Sequence, residues 1–274
     1  MSALPNELDA GTRFSAYAAV VIAALVAIAS VGGIGLDATY AHETPSWRVQ
    51  AIGQDWANLV VAVPWLVVAA MLVLRGSRRA RFLLGGALVY CVYSYAMYAL
   101  DVAFNALFLI YCGALGLASF GLAGLASDLR GSAIWFTARA PRRAIGAFAM
   151  ICAGAFALMW LSQIVPAVVA GTQPVGLAET GLVTNPVHVL DLSLVLPAMF
   201  IGGVLLWRRH PLGFAIAPVM LAFGVLMAAS LVAMAGALTL GGLATGFAPT
   251  IGFAAFALVQ VAALVWLLAA VTRE

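Results

Sequence analysis

Eight long, uninterrupted apolar runs constrain what this chain can fold into more than any other feature. They lie near 14–34, 56–74, 82–101, 105–126, 144–169, 186–207, 212–236 and 249–271. A helix needs about 20 mostly apolar residues to cross the hydrocarbon core of a bilayer. The chain is 65% hydrophobic and 8% charged, whereas about a quarter of the residues of a soluble domain are charged. The sequence therefore predicts an all-α, polytopic transmembrane bundle of eight helices.

Composition also excludes several classes of function. It rules out a soluble enzyme, a disordered chain and a nucleic-acid binder, although the net charge is +3. All 13 basic residues are arginine, which excludes a retinal Schiff base and a phosphate-loop lysine. Cys91, Cys112 and Cys152 lie in apolar runs without CxxC spacing, so we expect free thiols. No motif identifies a cofactor.

The arginines fall almost entirely on one side of the predicted helices. Twelve lie before helix 1, between helices 2 and 3, 4 and 5, or 6 and 7, or after helix 8, and Arg48 alone lies on the other side. Because positive loops stay in the cytoplasm, we expect both termini there. This predicts cytoplasmic segments at 1–13, 127–143 (Arg-rich) and 272–274, with helices 1–4 in 14–126 and helices 5–8 in 144–271.

The first apolar run has an alternative interpretation as a cleaved signal peptide. Ala27-Ile28-Ala29 resembles a signal-peptidase site that follows an apolar stretch. Glu7 and Asp9 precede that stretch, however, and a signal peptide usually begins with a positive segment. We therefore expect an uncleaved first helix in the bacterial cytoplasmic membrane, a setting that the Ala-, Gly- and Arg-rich composition without lysine also favours.

An internal repeat is indicated by two matched pairs of residues. Pro64 precedes Arg75 by 11 residues, and Pro197 precedes Arg208 by the same 11. The shift that takes Pro64 to Pro197, which we call the repeat offset, places helix 1 on helix 5 and helix 3 on helix 7. The spacing predicts two parallel four-helix repeats related by an axis along the membrane normal. The alternative is that proline followed by a basic helix end recurs by chance.

The start of helix 6 holds the first candidate site. His188 and Asp191 are three residues apart and share a helix face, and an ionisable residue inside a span is a functional candidate. The pair is compatible with a proton relay or with metal ligation. Alternatively, Asp191 interacts with the helix dipole and His188 is interfacial. Pro197 predicts a kink near the middle of this helix.

A polar stripe along helix 3 is the second candidate. Tyr90, Ser94, Tyr98, Asp101 and Asn105 fall on one helix face. The stripe predicts the lining of a cavity or proton path that runs from mid-membrane to the outer surface. The alternative is an aromatic belt followed by turn and cap residues.

The segment before helix 2 is predicted to be a long outer loop in which Asp55 opens the helix. Asp55 precedes Pro64 by 9 residues, as His188 precedes Pro197, so both repeats would place an ionisable group at one depth. The alternative is that Asp55 is a helix cap.

A metal site is a further hypothesis for the same region. His42, Glu43, His188 and Asp191 have suitable ligand chemistry. Their spacing, however, matches no specific metal motif.

Four strings carry a family resemblance: "GQDWANLVVAVP", "YSYAMYALDVAFNALFLIY", "VHVLDLSLVLPA" and "WRRHPLGFAIAPV". Over roughly residues 50–235, the chain resembles a group of bacterial polytopic membrane proteins of about eight helices and unknown function. The resemblance implies membership alone and brings no activity, substrate or cofactor.

These observations favour a transporter or channel-like protein for a small cation, a proton or a small solute. We expect an outer-facing acidic cavity between helices 2, 3 and 6, ringed by Asp55, Asp101, His188 and Asp191. One alternative is an intramembrane enzyme at the outer leaflet with His188 as acid or base, and another is a membrane sensor or assembly subunit. The expected partners are the lipid bilayer and a small solute or cation. Oligomeric state and metal binding stay open.

Overall fold

The computed structural model describes residues 8–174, 176–177, 182–244 and 246–272. Within this part of the chain, eight helices are long and apolar enough to cross a membrane. We number them α1 Ala10–Gly35, α2 Pro45–Leu74, α3 Arg78–Leu100, α4 Phe108–Arg130, α5 Arg142–Ala170, α6 Pro186–Trp207, α7 Pro211–Leu240 and α8 Ala248–Ala269. The prediction of an all-α, multi-pass membrane bundle is confirmed. The segment 1–7 and residues 273–274 of the predicted tails lie outside the described residues.

Helix α2 begins at Pro45, well before the predicted start at 56. The Thr44 hydroxyl accepts a hydrogen bond from the Trp47 N–H at 3.4 Å, and proline suits the first helical turn because its missing N–H needs no partner there. The expected long loop shortens to residues 36–44, which include the 3₁₀ turn Asp37–Tyr40. The prediction that Asp55 opens the helix is therefore wrong, since Asp55 lies more than two turns inside it.

Helices α2 and α6 each contain a five-residue π-helical segment. These segments are Asn58–Ala62 and Asp191–Val195, and after one intervening residue each is followed by a proline, Pro64 or Pro197. A proline ring inside a helix clashes with the carbonyl one turn earlier, and a wider turn moves that carbonyl away. The irregularity expected at Pro197 therefore lies in the turn that precedes it.

The repeat offset recurs at several helix boundaries. It takes the start of the first π segment, Asn58, to the start of the second, Asp191. The same offset takes the end of α2 to the end of α6, and the start of α3 to the start of α7.

Helix α7 lies in the middle of the bundle and packs against α2, α3, α6 and α8. The two halves of the chain differ around it. Helix α1 packs along α4, and the buried residues of α4 extend over its whole length, from Tyr111 to Leu129. Helices α5 and α8 barely touch, and the buried residues of α8 begin only at Gln260 and end at Leu268. The second half is therefore open on one side, over the first part of α8.

The arginine-rich end of the bundle, which we call the basic end, is tied together by polar contacts. Arg81 donates to both carboxylate oxygens of Asp128 at 2.9 and 2.8 Å, and its guanidinium lies 5.1 Å from the Trp135 ring centroid. Arg79 donates to the Val271 carbonyl at 2.8 Å. These contacts join α3, α4 and the α4–α5 connection to the end of α8.

Close glycine packing between α5 and α6 yields the first prediction. A Cβ at Gly146 would lie 2.7 Å from the Gly203 carbonyl oxygen, whereas a Cβ at Gly154, on the same helix, would meet nothing within 4 Å. Overpacking a tight contact costs about 1–3 kcal/mol, so Gly146→Ala should lower the unfolding midpoint of the purified protein in detergent. The matched variant Gly154→Ala should leave that midpoint unchanged or raise it. Equal midpoints for the two variants would contradict this packing.

Candidate functional site

Asp55 is a buried carboxylate that tyrosine hydroxyls satisfy. Its side chain accepts hydrogen bonds from Tyr40 at 2.7 Å and from Tyr98 at 3.3 Å, and the residue is 1% exposed. Gly33 packs so closely on this carboxylate that a Cβ would overlap it. Burial, followed by the nearby charge of Asp55, raises the pKa of the Tyr40 phenol, so Tyr40 stays a hydrogen-bond donor. The carboxylate thereby links α1, the Asp37–Tyr40 turn, α2 and α3.

A second set of buried polar side chains links α2 and α3 to α7. The Tyr90 hydroxyl donates to Asn58 Oδ1 at 2.7 Å and lies 2.7 Å from the Ser230 hydroxyl. Gln54 donates from Nε2 to the Ser94 hydroxyl at 3.2 Å. These bonds satisfy polar groups that would otherwise be costly inside a membrane.

The polar stripe of α3 is therefore divided between two roles. Tyr90, Ser94 and Tyr98 are almost completely buried and bond to α2 and α7, so the expectation that they line a cavity is corrected. Asn105 accepts from the Leu107 N–H at 2.9 Å and donates to the Thr39 carbonyl at 3.3 Å, as expected of a turn residue. Of the five, Asp101 lines a cavity.

That cavity lies between α2, α3, α6 and α7 at the end of the bundle opposite the basic end, and it has a volume of about 120 Å³. We call it the outer vestibule for its distance from the basic end. Its polar lining includes Gln50, Gln54, Asp101 and Asn185. Burial, together with the charge of Glu43, raises the pKa of Asp101. A polar cavity thus lies between the three helices from which it was expected. Three of the four residues expected to ring it, Asp55, His188 and Asp191, lie elsewhere.

Asp191 lines a second, larger cavity of about 180 Å³, which we call the membrane cavity. It lies between α5, α6, α7 and α8, with Tyr93 of α3 at its side. Its wall is largely aromatic and includes Tyr93, Phe156, Trp160, Phe223, Phe253 and Phe256. Asp191 and Gln260 provide its carboxylate and its amide.

His188 and Asp191 meet at a residue that sequence reasoning missed. The Trp160 indole donates to Asp191 Oδ2 at 2.8 Å, and the His188 ring lies 4.6 Å from the Trp160 ring. His188 Nε2 is buried with no hydrogen-bond partner among the described residues. Trp160 lies on α5, far from helix 6 in sequence. Its position deep within a predicted span was the sequence signal that could have identified it.

Gln260 contributes an unsatisfied acceptor to the membrane cavity. The residue is 1% exposed, and within the described parts of the chain its Oε1 has no hydrogen-bond partner. Its amide packs against Gly224, where a Cβ would lie 2.7 Å from Nε2. The wall of the membrane cavity therefore contains a buried acceptor whose hydrogen-bonding capacity no described residue uses.

The structure does not bring the four metal candidates together. Among the described residues, no group of three or more His, Cys, Asp and Glu side chains is close enough to hold a metal ion. His42 is exposed, Glu43 accepts from the Ala103 N–H at 2.7 Å, and His188 and Asp191 contact Trp160.

Comparison of the chain with protein-family models, curated proteins and solved structures finds no match. The function is therefore argued from the geometry of the two cavities.

Replacing Asp55 tests the first polar cluster. Asp55→Ala leaves the Tyr40 and Tyr98 hydroxyls buried without this acceptor, at a cost of about 1–3 kcal/mol for each stranded group. We expect the free energy of unfolding to fall by that order in denaturant titrations. The control Asp37→Ala, whose carboxylate is 99% exposed, should leave it unchanged. A double-mutant cycle with Tyr40→Phe should give non-additive losses, and additive losses would contradict the bond.

Proposed function

We propose that this protein is a carrier for a small cation in the bacterial cytoplasmic membrane. The observation that carries the proposal is that Val187 lines both the outer vestibule and the membrane cavity. Val187 therefore lies between two neighbouring cavities, one with Asp101 and one with Asp191. Carboxylates along a path through both cavities concentrate cations and compensate their charge.

The path supports a carrier rather than an open channel because it closes toward the basic end. Cys152 and Met199 line the membrane cavity. One to two turns closer to the basic end, Gly146 and Gly203 are in near backbone contact. Release at the basic end requires this contact to separate, which is the alternation between two states that a carrier needs.

The features related by the repeat offset support the two-repeat interpretation. The matched π segments and helix boundaries favour two four-helix units of parallel topology, as in carriers whose halves move relative to each other. On this proposal the closed first unit acts as the scaffold. The second unit holds the membrane cavity.

The enzyme alternative receives less support from the geometry. An acid or base must reach the reacting group, and His188 lines neither cavity. A sensor remains the alternative if no probe crosses the membrane.

Membrane orientation yields a labelling prediction. Cys91 and Cys152 are buried and Cys112 is exposed. The substitution Cys112→Ala therefore reduces labelling of the native cysteines. We expect an impermeant maleimide to label His42→Cys in intact cells and to label Arg139→Cys only after permeabilisation. The reverse pattern would place the basic end outside the cytoplasm.

Transport yields a second prediction. Proteoliposomes with an inside-negative potential should accumulate at least one of three radiolabelled cations: Na⁺, tetramethylammonium or protonated 2-phenylethylamine. Because Asp191 compensates the charge, Asp191→Asn should reduce that uptake at least tenfold, and Asp37→Asn should leave it unchanged. Uptake no greater than in protein-free liposomes, or insensitive to Asp191→Asn, would contradict the proposal.

A further inference from the structure

The polar groups of the membrane cavity specify what kind of ligand it holds. We propose that the cavity binds a protonated amine with an apolar body, an inference that rests on the proposed cation carrier and names its substrate class.

Two acceptors in the wall of the membrane cavity have unused hydrogen-bonding capacity. A carboxylate has about four lone-pair positions, and Asp191 uses one for the Trp160 indole while the Tyr93 hydroxyl also approaches it. Gln260 Oε1 is buried without a partner among the described residues. A ligand that satisfies both residues must donate hydrogen bonds, and the carboxylate favours a donor with positive charge.

The wall of the cavity favours an organic cation over a metal ion. Aromatic faces attract ammonium groups, by about 2 kcal/mol or more when water is excluded, and six aromatic side chains line this space. Hard divalent cations take six or more oxygen ligands, whereas one carboxylate, one amide and the Tyr93 phenol supply the side-chain oxygens here. The volume of about 180 Å³ equals that of about six liquid waters, which suits a small amine.

The opening of the cavity explains why the ligand has an apolar body. Helices α5 and α8 barely touch, with the Phe156 and Phe256 rings 5.8 Å apart between them. Met159, which lines the cavity, is 39% exposed on the surface that faces lipid. The Phe156 and Phe256 rings are in packing contact, so entry of an apolar body between α5 and α8 requires these two rings to separate; this is a second proposed route, in addition to the one past Val187.

Binding of three phenyl compounds to the full chain in lipid nanodiscs tests the proposal. At neutral pH, radiolabelled 2-phenylethylamine should bind saturably and at least tenfold more tightly than its neutral analogue 2-phenylethanol. The anion 3-phenylpropanoate should not compete. Equal affinity for the amine and the alcohol would overturn the proposal.

Substitutions test whether Asp191 and Gln260 are the two acceptors that bind the amine. Asp191→Asn keeps an oxygen for the Trp160 indole, and it should weaken amine binding at least tenfold while leaving 2-phenylethanol unaffected. Gly224→Ala displaces the Gln260 amide and should weaken amine binding severalfold. On the same helix, a Cβ at Gly236 meets its nearest atom at 3.9 Å, so Gly236→Ala should bind normally. Unchanged amine binding in Asp191→Asn, or equal binding in the two glycine variants, would overturn the assignment.

The binding experiment and the uptake experiment can fail independently of each other. Asp191-dependent amine binding without uptake of any probe would support the ligand class and overturn the carrier. Asp191-dependent uptake of Na⁺ or tetramethylammonium without amine binding would support the carrier and overturn the ligand class.

Discussion

Polar groups inside a membrane must be satisfied by the protein itself, and this constraint organises the whole bundle. Where hydroxyl and amide donors surround a buried polar group, they tie helices together. Asp55 does this through Tyr40 and Tyr98, and Asn58 does it through Tyr90. The first half of the chain is consequently closed, with α1 packed along α4.

The buried polar groups around the membrane cavity, in the second half of the chain, are only partly satisfied. Asp191, which corresponds to Asn58 at the repeat offset, also begins a π segment, but its described hydrogen-bond donor is an indole on α5. The helices that would enclose it, α5 and α8, diverge. Gln260 is left with a free acceptor next to the resulting space. The unpartnered Gln260 oxygen beside the Asp191 carboxylate, on the wall of one aromatic-lined cavity, is the basis for proposing the membrane cavity as a binding site.

Sequence periodicity and hydropathy predicted the features that depend on single helices. The eight spans of the described chain follow from length and apolarity. The start of α2 was missed because Arg48, Gln54 and Asp55 lower the hydropathy of a segment that nevertheless begins with a good cap at Thr44.

The features that depend on helix–helix packing could not be predicted. A stripe such as Tyr90, Ser94 and Tyr98 shows that one face is polar, but it does not show whether water or another helix covers that face. The role of Trp160 depends on α5 lying beside α6. The openness of the second half depends on α5 and α8 staying apart, which the matched proline spacing alone would not suggest.

The proposed cation site in the membrane cavity is built on Asp191 and Gln260. A high-resolution electron cryomicroscopy map of the full chain in nanodiscs with 2-phenylethylamine tests it. Ligand density should appear with its nitrogen about 3 Å from both the Asp191 carboxylate and Gln260 Oε1. A cavity filled by a lipid acyl chain, with the amine absent or bound elsewhere, would contradict it.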